Sequence, residues 1–212
     1  MGQNSPMRLD HISYVTSHDQ LADTVQRLGA RLGSTFVDGG VHPRFGTRNF
    51  TLPLQNGRYI EVVCPMDHPA TDATPFGKAV KQKALEGGGW FAWVVSVDDI
   101  SSIETKLGRQ SVAGQRVSPN GIEFNWRQIG VLGTIKEAQW PFFVQWEKPN
   151  HPSNLGLAKA KIQEIKFSGN DNPGEIKIDT KKFPVLTYGI NPSENGIEEV
   201  VFSMNGSVIA ID

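Results

Sequence analysis

Short alternations of apolar and polar residues recur along the chain and predict a protein built mainly from β-strands. The first alternation, over Leu9–Thr16, predicts a strand with His11 on one face and Asp10 on the other. Apolar residues then recur at helical spacing over residues 21–32, after Asp19 as a candidate N-cap. The chain is therefore expected to begin with a strand and an amphipathic helix.

Three further strands complete this first unit. They are predicted at Ser34–Asp38, Thr47–Leu54 and Arg58–Val63, which gives the order βαβββ. The segment Gly39–Asn49, which links the second and third strands of the unit, is rich in glycine, and we interpret it as a shaped turn that carries His42.

The same order restarts after a helix predicted at Phe76–Leu85. The later elements are a strand at Trp90–Val97, a helix ending at Leu107, and strands around Gly121–Leu132 and Pro141–Glu147. Aligning Leu28 with Leu107 gives an offset of 107 − 28 = 79, which pairs His11 with Trp90. The last strands align at 145 − 61 = 84, which pairs Glu61 with Gln145. These offsets predict an internal repeat.

A third region follows, in which strands are predicted at Lys161–Phe167, Ile197–Met204 and Ser207–Ile211, with an Asn205-Gly206 hairpin turn between the last two. We expect it to complete or cover the main sheet, or to support self-association through an open edge. The predicted division is a paired domain over 7–149, with modules at about 7–66 and 88–149, and a β-rich partial module over 150–212.

Composition narrows the function classes. Among 212 residues, 22 acidic and 21 basic side chains leave a formal charge of −1, which argues against nucleic acid or an anionic membrane as partner. No segment approaches the roughly 18 apolar residues of a membrane-spanning helix, so a cytoplasmic location is expected. The single cysteine cannot form an internal disulfide. Phosphate-binding loops and nucleophile elbows are absent from the sequence, which disfavours nucleotide-binding and hydrolase functions.

The candidate chemistry begins with His11 and Glu61. Both fall on the inward phases of their strands if Val15 and Val63 mark that face. Imidazole and carboxylate together can bind a divalent metal or serve acid–base catalysis. The alternative is a structural pair in which Glu61 simply accepts a hydrogen bond from His11.

The glycine-rich segment supplies the next candidates. His42 is a candidate acid or base, while Arg44 and Arg48 could hold a carboxylate or oxyanion. Thr47 and Asn49 are candidate substrate contacts, or they supply local hydrogen bonds to the turn. Alternation places Trp90 and Trp93 on opposite faces, so at least one is expected to border a cavity as an apolar wall. His151 is expected at the surface.

Three of these pieces together resemble the vicinal oxygen chelate superfamily and, within it, the glyoxalase-like domain proteins: Leu9-Asp10-His11, the turn containing Gly39-Gly40-Val41-His42-Pro43 and Gly46-Thr47-Arg48-Asn49, and Tyr59-Ile60-Glu61. The resemblance implies an α+β fold in which tandem βαβββ modules form a cupped mixed sheet with helices outside. It also implies metal ligands at His11, Glu61 and Gln145. Trp90 stands where a fourth ligand is expected, so the site has three protein ligands, or His42 substitutes, or metal binding has been lost.

Two functions remain. The first is a metalloenzyme in which a divalent ion of unspecified identity stabilises an oxyanionic intermediate of an oxygen-chelating substrate, while His42 or Glu61 moves a proton. Isomerase, lyase and dioxygenase reactions are all compatible with it. The second is a metal-free protein that binds or sequesters a small molecule. A homodimer is compatible with either function.

Overall fold

The computed structural model describes residues 7–147, 149–169, 176, 178, 183–191 and 194–212. The first half contains β1 (Arg8–Val15), α1 (Leu21–Arg31), β2 (Val37–His42), β3 (Thr47–Leu54), β4 (Arg58–Pro65), α2 (Pro69–Ala73) and α3 (Pro75–Leu85). The second half contains β5 (Gly89–Ser96), α4 (Ser101–Leu107), β6 (Val112–Val117), β7 (Glu123–Ile129), α5 (Val131–Lys136) and β8 (Phe142–Trp146). None of the described helices is long and apolar enough to cross a membrane.

These eight strands curl into a closed barrel in the order β1-β4-β3-β2-β6-β7-β8-β5. Strands β1 and β4 pair in parallel, as do β5 and β8, while β1 and β5 are antiparallel. The junction between β2 and β6 rests on one residue pair, Val41 with Val117. The predicted α+β fold with a cupped mixed sheet is confirmed.

The glycine-rich segment differs from the prediction, because Gly39–His42 belongs to β2 rather than to a turn. A β-bulge between Asp38 and Gly40 keeps this stretch paired with β3, and Gly40 adopts a φ of 90° that suits a glycine. The turn itself is confined to residues 43–46, where the backbone N–H groups of Phe45 and Gly46 donate to the His42 carbonyl. Strand β6 and helix α5 were not predicted.

The internal repeat is real in register, but its offset differs from the predicted values. In the first half β1 and β4 pair His11 with Tyr59 and Ser13 with Glu61. In the second half β5 and β8 pair Val94 with Phe142 and Ser96 with Val144. The paired residues lie 48 positions apart in both halves, as 59 − 11 = 48 and 142 − 94 = 48 show, and His11 also pairs with Val94 across β1 and β5. Matching these two residues gives an offset of 94 − 11 = 83, which places Val144 at the position of Glu61. The structural counterparts of His11 and Glu61 are therefore Val94 and Val144.

The third region contains β9 (Lys161–Phe167), β10 (Val185–Thr187), β11 (Ile197–Met204) and β12 (Ser207–Ile211), so the three predicted strands are confirmed. These strands form a separate sheet in the order β10-β9-β11-β12. This sheet packs on the outside of the barrel, where the Trp90 Nε1–H donates to the Ile211 carbonyl at 2.8 Å. The predicted domain boundary between residues 149 and 150 stays a prediction.

Candidate functional site

A small cavity of about 30 Å³ lies inside the barrel. Its polar wall comes mainly from the first half, and its apolar wall comes mainly from the second; the lining includes His11, His42, Asn49, Glu61, Arg116 and Trp126. A space of this size holds one or two water molecules or a single small group, but not a whole metabolite.

A β-bulge in β1 builds the support behind His11. The pairing of β1 with β5 skips Asp10, which brings this carboxylate beside the His11 ring instead of onto the opposite face. The distance from His11 Nδ1 to Asp10 Oδ1 is 2.8 Å. Because an ionised carboxylate only accepts hydrogen bonds, Nδ1 carries the proton, and the other ring nitrogen, Nε2, lies 3.7 Å from Glu61 Oε2.

Asp10 itself is held as an anion. The Trp146 Nε1–H lies 3.2 Å from each Asp10 oxygen, and His151 Nε2 lies 3.1 Å from Oδ2. Burial raises the pKa of Asp10, but the hydrogen bonds with His11 and His151 outweigh it and hold the pKa well below the usual range. His151 thus belongs to this network, contrary to the surface position expected from the sequence.

Glu61 is also buried and ionised. Its Oε2 accepts a hydrogen bond from the Ser13 hydroxyl at 2.9 Å, and its Oε1 accepts one from Asn49 Nδ2 at 2.7 Å. Burial raises the pKa of Glu61, but the neighbouring His11 and His42 and these two hydrogen bonds lower it below the ordinary value. A carboxylate so arranged stabilises positive charge nearby and is a weak proton acceptor.

His42 reaches the same cavity from the end of β2. Its Nδ1 lies 3.0 Å from Thr47 Oγ1, and its ring packs edge-on against Trp126 with the centroids 5.5 Å apart. Burial lowers the pKa of His42 to about 4, with the Arg116 charge adding to the effect and Glu61 opposing it. His42 is therefore neutral at pH 7.

Arg116 brings a positive charge into the cavity from β6, although only 2% of it is exposed. Its Nη1 donates to the Gly39 carbonyl, and its guanidinium lies over the Phe124 ring, with Cζ 4.1 Å from the centroid. Its Nη2 has no hydrogen-bond partner among the described residues. A side chain at Gly39 would collide with Asn49 and Arg116, which explains the glycine there.

Not all predicted site residues meet in this cavity. His11, His42, Asn49 and Glu61 line it, and Thr47 lies behind His42. Arg48 does not line the cavity and pairs instead with the partly exposed Asp38, and Arg44 is exposed beside a second groove.

Gln145, predicted as a metal ligand, faces away from the cavity and accepts the Ile100 backbone N–H at 2.8 Å. It lies one residue after the cavity-lining Val144, and a shift of one residue in a strand exchanges the two faces. The structure therefore does not bring the predicted ligand set together.

The predicted apolar wall of Trp90 and Trp93 also lies elsewhere. A bulge skips Phe91 in the pairing of β5 with β1, which cancels the alternation and turns both tryptophans toward the C-terminal sheet. Trp93 packs near Phe167 with ring centroids 5.8 Å apart. Neither tryptophan lines the cavity.

The aromatic wall comes instead from Trp126 and Trp146, which were not predicted as site residues. The sequence signal for Trp126 is the glycine at position 114. Gly114 lies opposite Trp126 in the pairing of β6 with β7, and a Cβ at Gly114 would lie 2.2 Å from the indole ring. Arg116 follows Gly114 by two residues on the same face. Without a prediction of β6, neither residue could be oriented.

A divalent metal, which the family resemblance implies, can be tested against this donor set. Two ligands of a tetrahedral ion with bonds of about 2.1 Å lie about 3.4 Å apart, close to the 3.7 Å between His11 Nε2 and Glu61 Oε2. The described residues nevertheless contain no group of three or more His, Cys, Asp or Glu side chains placed to hold a metal. Val94 and Val144 occupy the counterpart positions, and Arg116 adds a cation. The set does not fit a resident divalent ion.

Comparison with known proteins agrees with this architecture. The family model described as a glyoxalase-like domain matches residues 9–176. The chain belongs to the glyoxalase-like domain family. This family lies within the vicinal oxygen chelate superfamily, to which the sequence pointed. The matched residues cover the barrel and the start of the C-terminal sheet.

Two solved structures are similar to this glyoxalase-like protein at low sequence identity, and the first of them shares its fold. A hypothetical protein from Staphylococcus aureus is 16% identical, covers 96% of this chain and 84% of its own, and has a TM-score of 0.58. Methylmalonyl-CoA epimerase from Mycobacterium tuberculosis is 16% identical, covers 71% of this chain and 94% of its own, and has a TM-score of 0.46. No curated protein matches the sequence significantly.

Proposed function

We propose that this glyoxalase-like protein is an enzyme that moves a proton on a small oxygen-bearing substrate, with His11 as the proton acceptor. The observation that carries the proposal is the buried array in which Asp10 fixes the His11 ring and leaves Nε2 toward the cavity, 3.7 Å from Glu61. An imidazole oriented by a carboxylate is a recurrent general base, because the carboxylate also stabilises the imidazolium that forms.

The neighbouring charges support this assignment over the roles predicted for His42 and Glu61. Glu61 has a lowered pKa and His42 has a pKa of about 4, so each is a poor proton acceptor at neutral pH. Glu61 instead stabilises the protonated His11. The catalytic roles predicted for His42 and Glu61 stay predictions. Asn49 and Ser13 orient the Glu61 carboxylate through their hydrogen bonds.

Arg116 supplies the complementary charge. When a base removes a proton from carbon next to a carbonyl group, negative charge develops on the carbonyl oxygen. The unpartnered Arg116 Nη2 can donate to that oxygen inside a site from which water is largely excluded. Reaction at such a carbon is thus the chemistry that this combination of groups supports.

Hydrogen–deuterium exchange tests the reaction class across several kinds of carbonyl compound at once. We would incubate the protein in D₂O with a panel of 2-oxo acids, 3-oxo acids and hydroxyketones and follow loss of the C–H signal by NMR. The parent is expected to catalyse exchange for at least one class, and His11→Gln to lose at least 100-fold of the rate. His18→Gln, at an exposed position, is the matched control. Equal rates in the parent and His11→Gln would contradict the proposal.

The metalloenzyme predicted from the sequence is the alternative reaction class: the spacing of His11 Nε2 and Glu61 Oε2 suits a metal ion, but the rest of the donor set among the described residues does not. Elemental analysis of protein purified without chelator, repeated on His11→Ala and Glu61→Ala, separates it from the first. One metal per chain in the parent and loss in both variants would support the metalloenzyme. Equal, substoichiometric metal in all three is expected from an incomplete donor set.

Binding without chemistry is the remaining alternative. It predicts that His11→Gln leaves ligand affinity unchanged and that no compound in the exchange panel reacts.

The location and assembly predicted from the sequence are also proposals: a cytoplasmic protein without nucleic-acid partners that forms a homodimer. Val208, 73% exposed on the edge strand β12, suits such a contact. Light scattering on the parent and Val208→Lys tests it.

A further inference from the structure

The central cavity is too small for a whole substrate, but a larger space adjoins it. A groove of about 270 Å³ lies between the β2–β3 turn, the start of α3 and the segment from β7 into α5. Phe45, Phe76 and Gln128 line both the groove and the central cavity. By the same measure the groove is roughly nine times the size of the central cavity, as 270/30 = 9 shows, which is enough for a short alkyl or aryl group.

The groove has an apolar floor and a positively charged rim. Val112 and Leu132 remain 39% and 57% exposed there, although apolar side chains of this size are usually covered. Arg44 and Arg109 also line it, and neither forms a salt bridge with a described residue. The lining includes no acidic side chain. The surface therefore suits a ligand that is apolar and carries a negative charge.

Two of the residues that line both spaces are the aromatic residues Phe45 and Phe76. Phe45 and Phe76 meet edge to face with centroids 5.6 Å apart, and Phe76 lies 6.4 Å from Phe142 in the central cavity. Phe45 is carried by the β2–β3 turn, which is fixed because the Thr71 hydroxyl donates to the Gly46 carbonyl at 2.7 Å. Because both rings line both spaces, we expect side-chain rotation of either ring to join the groove to the cavity.

We propose that this groove is the subsite for the substrate tail, and that the tail is a short alkyl or aryl chain ending in an anionic group. The reactive oxygen-bearing head passes between Phe45 and Phe76 to reach His11 and Arg116. The tail lies on Val112 and Leu132, and its anion meets Arg44 and Arg109. This inference rests on the proposed function for the identity of the head, but the subsite itself binds without chemistry.

Calorimetric titration with octanoate, octyl phosphate, octanol and octylamine tests the subsite directly. We expect octanoate or octyl phosphate to bind the parent at least tenfold more tightly than octylamine, with octanol between them. A tenfold preference for octyl phosphate over octanoate would assign the anion as a phosphate, and the reverse would assign it as a carboxylate. Equal affinity for the anions and the amine, or no binding of any probe, would overturn the proposal.

Matched variants locate the binding. The double variant Arg44→Glu/Arg109→Glu is expected to lose at least tenfold in affinity for the preferred anion, and Leu132→Asp at least fivefold. Lys159→Glu/Lys161→Glu has the same change in net charge far from the groove, and Leu85→Asp replaces another exposed leucine; both should bind as the parent does. Equal losses in the controls would overturn the proposal.

The same titration separates the two proposals. His11→Gln should retain parental affinity for the anion, because the groove does not use His11. Binding by the groove without any exchange reaction would leave the subsite standing and remove the proposed enzymatic function. Exchange activity without binding of the octyl probes would support the proposed enzymatic function and overturn the proposed subsite.

Discussion

The two halves of the barrel have the same strand pairing but opposite chemistry. At the paired positions of β1 and β4 the first half has His11, Tyr59 and Glu61, whereas the second half has Val94, Phe142 and Val144 at an offset of 83 residues. The polar contribution of the second half comes from β6 and β7 instead, through Arg116 and Gln128. A repeated scaffold therefore fixes where side chains point without fixing which strands carry the reactive groups.

The largest expected effect comes from making the second half resemble the first. Val144→Glu places an unpaired carboxylate in a buried position and is expected to destabilise the protein by about 3–5 kcal/mol. Val94→His/Val144→Glu should bind zinc and recover part of that loss, because the introduced histidine lies opposite His11 across β1 and β5 and the introduced carboxylate faces the cavity that Glu61 lines. Denaturant unfolding with and without zinc measures both.

Gln145→Glu serves as the control, since that side chain faces away from the cavity. The proposed equivalence of the two halves would be contradicted if zinc stabilised Gln145→Glu, or if zinc did not stabilise Val94→His/Val144→Glu.

The buried His42 predicts a pH dependence of stability. Its pKa is about 4 in the folded protein and near 6.5 when unfolded, so the unfolded chain takes up the proton first as pH falls. The contribution of neutral His42 to the free energy of unfolding is fully present above pH 6.5 and is lost by about pH 4. The lost contribution amounts to about 3 kcal/mol. Unfolding of the parent and His42→Gln between pH 8 and 4 should show a smaller loss in the variant. Parallel curves would contradict this assignment.

Asp10 tests whether the bulge in β1 matters for the site. Asp10→Asn can present an amide N–H to His11 Nδ1 and so favour the wrong tautomer, and we expect the exchange rate to fall about 100-fold. His151→Gln removes another Asp10 contact while keeping the carboxylate, and should cost less than tenfold. Rates for Asp10→Asn that match those of His151→Gln would show that the carboxylate does not orient His11.

The smallest effect compares tryptophans on the two faces of the barrel wall. Trp90→Phe removes the hydrogen bond to the Ile211 carbonyl and should cost about 1–2 kcal/mol of stability without changing the exchange rate. Trp126→Phe removes the hydrogen bond to Gln128 beside the cavity and should lower the exchange rate as well. A rate loss in Trp90→Phe would place that residue nearer the chemistry than the structure does.

Regular alternation and turn chemistry allowed much of the fold to be predicted. Strands β9, β11 and β12 have the predicted bounds, because β9 alternates apolar and polar residues and Asn205-Gly206 marks the turn between β11 and β12. His11 and Glu61 could be brought together for the same reason. Gln145, Trp90 and Trp93 could not be oriented, because a one-residue shift and a bulge reverse the facing of side chains without leaving a sequence signal.

Arg116 was missed for a different reason. In β6 the inward positions are Gly114 and Arg116, so the buried face carries a glycine and a charge rather than apolar residues. The pairing of Arg116 with the Gly39 carbonyl and the Phe124 ring joins elements distant in sequence. Such a buried cation can be recognised only once the strands around it are assembled.

The most direct test of proton transfer through His11 compares C–H exchange in D₂O, for the best compound of the carbonyl panel, between the parent and His11→Gln at equal thermal stability. We predict a loss of at least 100-fold in the variant, with unchanged binding of the octyl anion in the groove. An undiminished exchange rate in His11→Gln would contradict the central claim that the polar half of the barrel performs proton transfer through His11.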